Sequence, residues 1–116
     1  MNIGQIVTNF IKQRECAQIA HWQTTSYAEH KAIGAFYDSF SDLLDTFFET
    51  YSGKYQRPEV GGLMNVVKTD SLVIVDEVYK LAVSAETEVI SDSDLLNILA
   101  DIKGLCNHTK YLLNLK

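Results

Sequence analysis

The sequence predicts an all-α fold, a bundle of four helices in a single domain covering residues 1–116. Three observations predict it. Four stretches repeat apolar residues at steps of three and four. The one continuous β-branched run, Leu72-Val73-Ile74-Val75, has no second strand to pair with, and a lone strand cannot satisfy its backbone. A chain of 116 residues supports one core and is too short for two.

The first helix is carried by Ile3, Ile6, Val7, Phe10, Ala17 and His21 on one face. Arg14 falls inside that stripe, where a long side chain can snorkel outward. Thr24, Thr25 and Ser26 form a short turn into the second helix, which has the clearest pattern in the chain. Ser26 and Glu29 read as a capping box, and Ile33, Phe36, Tyr37, Phe40, Leu43, Leu44, Phe47 and Tyr51 then form one apolar stripe that ends before Gly53. The third helix rests on Ile74, Val75, Val78, Leu81, Ala82, Ala85 and Val89. The fourth starts in the Ser91–Ser93 region, where serine and aspartate oxygens can cap it, and turns Leu95, Leu96, Leu99, Ile102, Cys106 and Leu113 inward.

Between the second and third helices, residues 52–69 hold the only proline, Pro58, and the pair Gly61-Gly62, with Leu63–Val67 as a further short helical candidate. A segment of this length can cross a bundle end to end at about 3.3 Å per residue. Two tight helical hairpins joined by one long crossover is the ferritin-like arrangement, and the chain fits it.

The formal net charge of −5 and the absence of a basic tail argue against nucleic-acid binding, which needs clustered Lys and Arg. Lys54, Arg57 and Lys68 read as a solvated loop. No apolar run approaches the roughly 20 residues that span a bilayer, and the patch from Ile3 to Ile11 lacks a cleavage site. Cys16 and Cys106 form no CxxC and read as reduced thiols of a cytoplasmic protein.

One constellation carries chemistry. His21, His30, Asp45 and Glu49 supply the imidazole and carboxylate donors that iron and zinc accept. Asp38, Asp42, Asp45 and Glu49 form an acidic stripe about 170° from the apolar one, so they face away from this chain's own core. That placement argues against a two-metal centre buried within one bundle. No Glu-x-x-His pair of the kind such centres use occurs in the second or fourth helix. Either the acids are a solvated face, or they meet the histidines of a second copy across a two-fold axis.

His21-Trp22, then His30 early in a helix, then Asp45-x-x-x-Glu49, resembles the signature of the Dps branch of the ferritin-like superfamily. Residues 21–51 are also similar to small ferritin-like proteins encoded by phages. The resemblance implies a homo-oligomer, at least a two-fold dimer, with iron bound between subunits by His21 and His30 of one chain and Asp45 and Glu49 of the other. It implies ferroxidase chemistry with peroxide or oxygen, and Trp22 as an electron donor beside the metal. For a phage-encoded chain it implies the host cytoplasm. Where the family has an acid four residues after the second histidine, this chain has Gly34, which implies weakened or lost ferroxidase activity and one metal per site. The alternative from a different class is a metal-free oligomeric or adaptor bundle, such as a phage protein acting on a host or virion component through its acidic stripe. Trp22 alone reads as a packing residue, and His108 and Asp101 as solvated.

Overall fold

A computed structural model describes residues 1–115. Helix α1 spans Ile3–Gln23, α2 Tyr27–Lys54, α3 Ser71–Glu88 and α4 Ser93–Leu113, and no strand occurs among the described residues. The Leu72–Val75 run is helical, as the missing strand partner requires.

Each helix packs against two others: α1 against α2 and α3, and α4 against the same pair. The ends fix the directions. Ser71, which opens α3, donates its hydroxyl to Glu29 Oε1 in the first turn of α2 at 2.8 Å, so those two helices begin at the same end. Lys54, which closes α2, pairs with Asp92 and Asp94 at the opposite end, where α4 begins. The chain therefore runs up, down, down, up. Residues 55–70 return from the end of α2 to its start.

Leu63–Val67, expected as a short helix, is not helical. Sixteen extended residues reach about 53 Å, against a molecule whose longest extent is 43 Å, so the segment spans the bundle as extended chain. The crossover is also fastened to α1 as it passes. Gly61 N–H donates to Thr8 Oγ1 at 3.0 Å, and the Glu59 carbonyl lies where a Cβ on Gly4 would sit.

The core follows the predicted stripes. Phe10, Phe36, Phe40 and Phe47 are fully buried, with Phe40 meeting Phe10 edge-on and stacking on Phe36, both at 5.5 Å between ring centroids. Ile74, Val78, Leu95, Leu99 and Ile102 close it from the other hairpin. Both cysteines are buried and free, and burial pushes the Cys106 thiol up to about 12.

Three local expectations change. Ser26 caps α2 by accepting from Glu29 N–H at 3.2 Å, but the Glu29 side chain does not return to it; that carboxylate is taken by Ser71. Helix α2 continues through Gly53 to Lys54, so Lys54 is not a loop residue. The third concerns Asp92, which sits at the N-cap of α4 without capping it. Its nearly buried carboxylate accepts from Tyr55 OH at 2.6 Å and from Lys54 Nζ at 2.9 Å, tying α4 to the end of α2. Those long-range partners displace the local backbone N–H, because they deliver a charge-assisted bond to a nearly buried carboxylate.

The Tyr55 hydroxyl, then the Lys54 ammonium, hold Asp92 below the ordinary carboxylate value, while Asp92 raises both Lys54 and Tyr55. A lowered acid contributes its full stability above its unfolded pKa, about 3.9, and loses it as pH falls through the lower folded value. The raised Lys54 and Tyr55 contribute fully below about pH 10 and lose that contribution as pH rises past their folded values. Wild-type protein is therefore expected to hold a constant advantage over Asp92→Asn across neutral pH and to lose it below about pH 4, measured as urea midpoints at stepped pH. An advantage independent of acid would rule out this lock.

Candidate functional site

The short turn at residues 24–26 brings the last turn of α1 against the first turns of α2. There the two histidines clasp each other. His21 Nδ1 lies 2.8 Å from the His30 carbonyl oxygen, and His30 Nδ1 lies 2.7 Å from the His21 carbonyl oxygen. The rings stack at 3.9 Å between centroids, 15° from parallel. A carbonyl oxygen only accepts, so both Nδ1 atoms carry hydrogen and donate. In the neutral rings, both Nε2 atoms are left with a bare lone pair.

Each bond has a separate backbone reason. The His21 carbonyl belongs to the last turn of α1, where no N–H follows to satisfy it, so His30 caps that helix end. The His30 carbonyl lies inside α2 and faces the N–H of residue 34, four residues on. To reach it from α1, the His21 ring must lie over residue 34. A Cβ there would sit 2.6 Å from both Cε1 and Nδ1 of His21. Only glycine leaves room for the ring, so Gly34, which reads in the sequence as a missing acid, is the seat of an imidazole.

The clasp lines a shallow groove of about 510 Å³ between α1 and α2, together with Trp22, Lys31 and Asp38. Trp22 is not a packing residue: its side chain is 67% exposed, beside His21 at the end of α1, where no further helix covers it. Tyr27 stacks loosely on His30 from the solvent side, at 6.4 Å. Farther along the same seam, Val7, Ile11, Leu44 and Phe48 line a second depression, which Arg14 and Asp45 share.

Asp38, Asp42, Asp45 and Glu49 are all exposed, as their angular position predicts. The neighbouring Asp45 carboxyl, through hydrogen bonding first and its charge second, raises the Glu49 carboxyl above its ordinary value. Fifteen residues separate His30 from Asp45 on one helix, about 22 Å of axial rise. The imidazoles and the carboxylate pair therefore occupy opposite ends of one seam. Among the described residues, no group of three or more His, Cys, Asp or Glu converges within one chain as a metal cage. His108 and Asp101 are exposed on α4. No helix among the described residues is long and apolar enough to cross a membrane.

Sequence comparison adds a relationship. The model of a family of unknown function, DUF5856, matches residues 21–113, from the first histidine of the clasp to the end of α4. The chain is also 31% identical over 99 residues to the "Uncharacterized 14.6 kDa protein in mobD-ri intergenic region" of Enterobacteria phage T4, covering 84% of this chain and 76% of the relative. No solved structure matches the sequence. The resemblance to phage proteins is thus borne out, and neither description names a ferritin or Dps protein.

If the His21 ring and a side chain at residue 34 exclude each other, one substitution changes sign with its background. Gly34→Ala is expected to destabilise the wild type by roughly 1–3 kcal/mol, as overpacking does. In a His21→Ala background, it should stabilise by up to about 1 kcal/mol, the ordinary gain of alanine over glycine in a helix. Urea unfolding of the four proteins in this cycle measures the coupling, and equal effects in both backgrounds would show that the ring is not seated on Gly34.

Proposed function

The chain belongs to the DUF5856 family of unknown function, and on that premise we propose that it is a phage-type, ferritin-like bundle that pairs with a second copy and binds a transition metal, iron or zinc, between the two. The observation that carries this reading is the clasp. Metal-binding histidines are held by a hydrogen bond from the nitrogen that does not ligate, and backbone carbonyls are common acceptors for it. His21 and His30 both have that support, and both Nε2 atoms are unspent. The up-down-down-up helix order supports the ferritin-like part of the proposal.

One chain cannot complete the site, because its carboxylate pair lies about 22 Å down the seam. A two-fold axis across the seam would pair the imidazole end of each copy with the carboxylate end of the other, making two equivalent sites. His21 and His30 would hold the metal from one side, and Asp45 and Glu49 from the other. A cation there would offset the negative charges that Asp45 and Glu49 place one helical turn apart. Bound iron would supply a redox centre for oxygen or peroxide, with the exposed Trp22 beside His21 as its electron donor.

A second reading has its own observation. The clasp already gives His21, His30 and Gly34 complete structural duties, since it caps α1 and closes the hairpin. On that reading, the protein is a metal-free oligomeric or adaptor bundle, and its acidic stripe is a docking face.

Elemental analysis of protein purified without chelator separates the two. Because Asp45 and Glu49 are exposed, Asp45→Asn and Glu49→Gln should leave the fold intact. The metal reading expects bound metal in the wild type, a scattering mass of at least twice 13.1 kDa, and a loss of affinity in each variant exceeding the roughly 10–100-fold that losing outer-shell support costs. Wild-type protein free of metal, or variants that keep it, would leave only the adaptor reading.

A further inference from the structure

We infer that a second copy docks antiparallel along α2, with its Trp22 seated in the apolar depression of this chain and its Lys31 on Asp45. The inference rests on the pairing with a second copy proposed above and not on a metal. Lys31, Asp38 and Asp45 stand seven residues apart, so each step rises about 10.5 Å and turns only about 20° around the helix. The three therefore form one line along α2. All are exposed, and all border the α1–α2 seam, Lys31 and Asp38 at the upper groove and Asp45 at the lower depression. Within its own chain, neither Lys31 nor Asp45 forms an ion pair among the described residues.

A two-fold axis crossing α2 at Asp38 turns this line end for end. Lys31 then meets Asp45 of the second copy, and Asp45 meets the second copy's Lys31. The same turn brings the two hollows of the seam together. Trp22 borders the groove that holds Lys31, and the depression that holds Asp45, about 190 Å³, is lined by Val7, Ile11, Leu44 and Phe48. An indole left in water at one end of the seam thus falls on an apolar hollow at the other. A tryptophan offers roughly 150–250 Å² to bury, and buried tryptophans are among the residues that most often dominate an interface. At the axis, Asp38 meets its own counterpart, a like-charge contact that works against the pair.

Trp22 is the only tryptophan, so tryptophan emission reports on it alone. In chelator, a dilution series followed by sedimentation and by emission is expected to show a dimer of twice 13.1 kDa whose formation moves the emission to shorter wavelength. Trp22→Ala, Lys31→Glu and Asp45→Lys all change exposed side chains, and each should weaken the dimer at least about tenfold. Mixing Lys31→Glu with Asp45→Lys should restore it, because unlike charges then meet at both contacts, and Asp38→Asn should tighten self-association. A dimer whose emission does not move, or charge variants that mixing fails to restore, overturns this inference while leaving a second-copy pairing standing. A chain that is monomeric in chelator and dimerises only with added iron or zinc overturns this inference alone. One that is monomeric under both conditions overturns the two-copy reading with it.

Discussion

The arrangement at the upper end of the bundle depends on two hydrogen bonds that run in opposite directions between the same two residues. Each histidine gives its Nδ1 hydrogen to the other's backbone carbonyl, so neither bond can be removed without loosening the other ring. One bond satisfies a carbonyl that helix geometry leaves without a partner. The other adds a donor to a carbonyl already inside a helix, and that approach requires bare backbone one turn further on. A turn of three residues, a glycine and two aromatic rings thus form a single unit. It orders the hairpin and fixes the direction of both Nε2 atoms at once.

Similar long-range polar contacts set the order of the helices, where the apolar core would tolerate alternatives. A core of phenylalanine and aliphatic side chains is largely indifferent to which helix supplies each group. The contact of Ser71 with Glu29 places the starts of α2 and α3 together, and the contact of Asp92 with Tyr55 and Lys54 places the end of α2 at the start of α4. Together with the three-residue turn from α1 into α2, they leave one direction for each helix. The long connection follows, since residues 55–70 must travel the length of the molecule.

The chemistry of the chain is divided along the same axis. Imidazoles sit at one end of the α1–α2 seam and the acid pair near the other, with Asp38 partway between. A single rigid bundle cannot bend one helix to join them. Any function that uses both ends is therefore a property of an assembly, whereas a function that uses one end belongs to the chain alone.

The four helices were legible in the sequence because burial imposes a period of 3.6 on any helix with one wet face, and the period needs no knowledge of the partner. The outward direction of Asp38, Asp42, Asp45 and Glu49 followed from the same angle. The cap on α1 was also written locally, in a pattern of the type that marked Ser26 and Glu29: in the structure the Asn2 and Gln5 side chains each accept from the other's backbone N–H. Glu29, Asp92 and Trp22 were misread for one physical reason, and the same reason hid the ring that Gly34 makes room for. A carboxylate that serves a distant hydroxyl looks like a local cap, and an aromatic residue at a helix end shows nothing of what covers it. Which residues are helical, and which face is wet, is decided by neighbours along the chain. Which polar atom meets which is decided by where the other helices pass, because a hydrogen bond is satisfied within about 3 Å and the sequence does not fix distances of that size between helices.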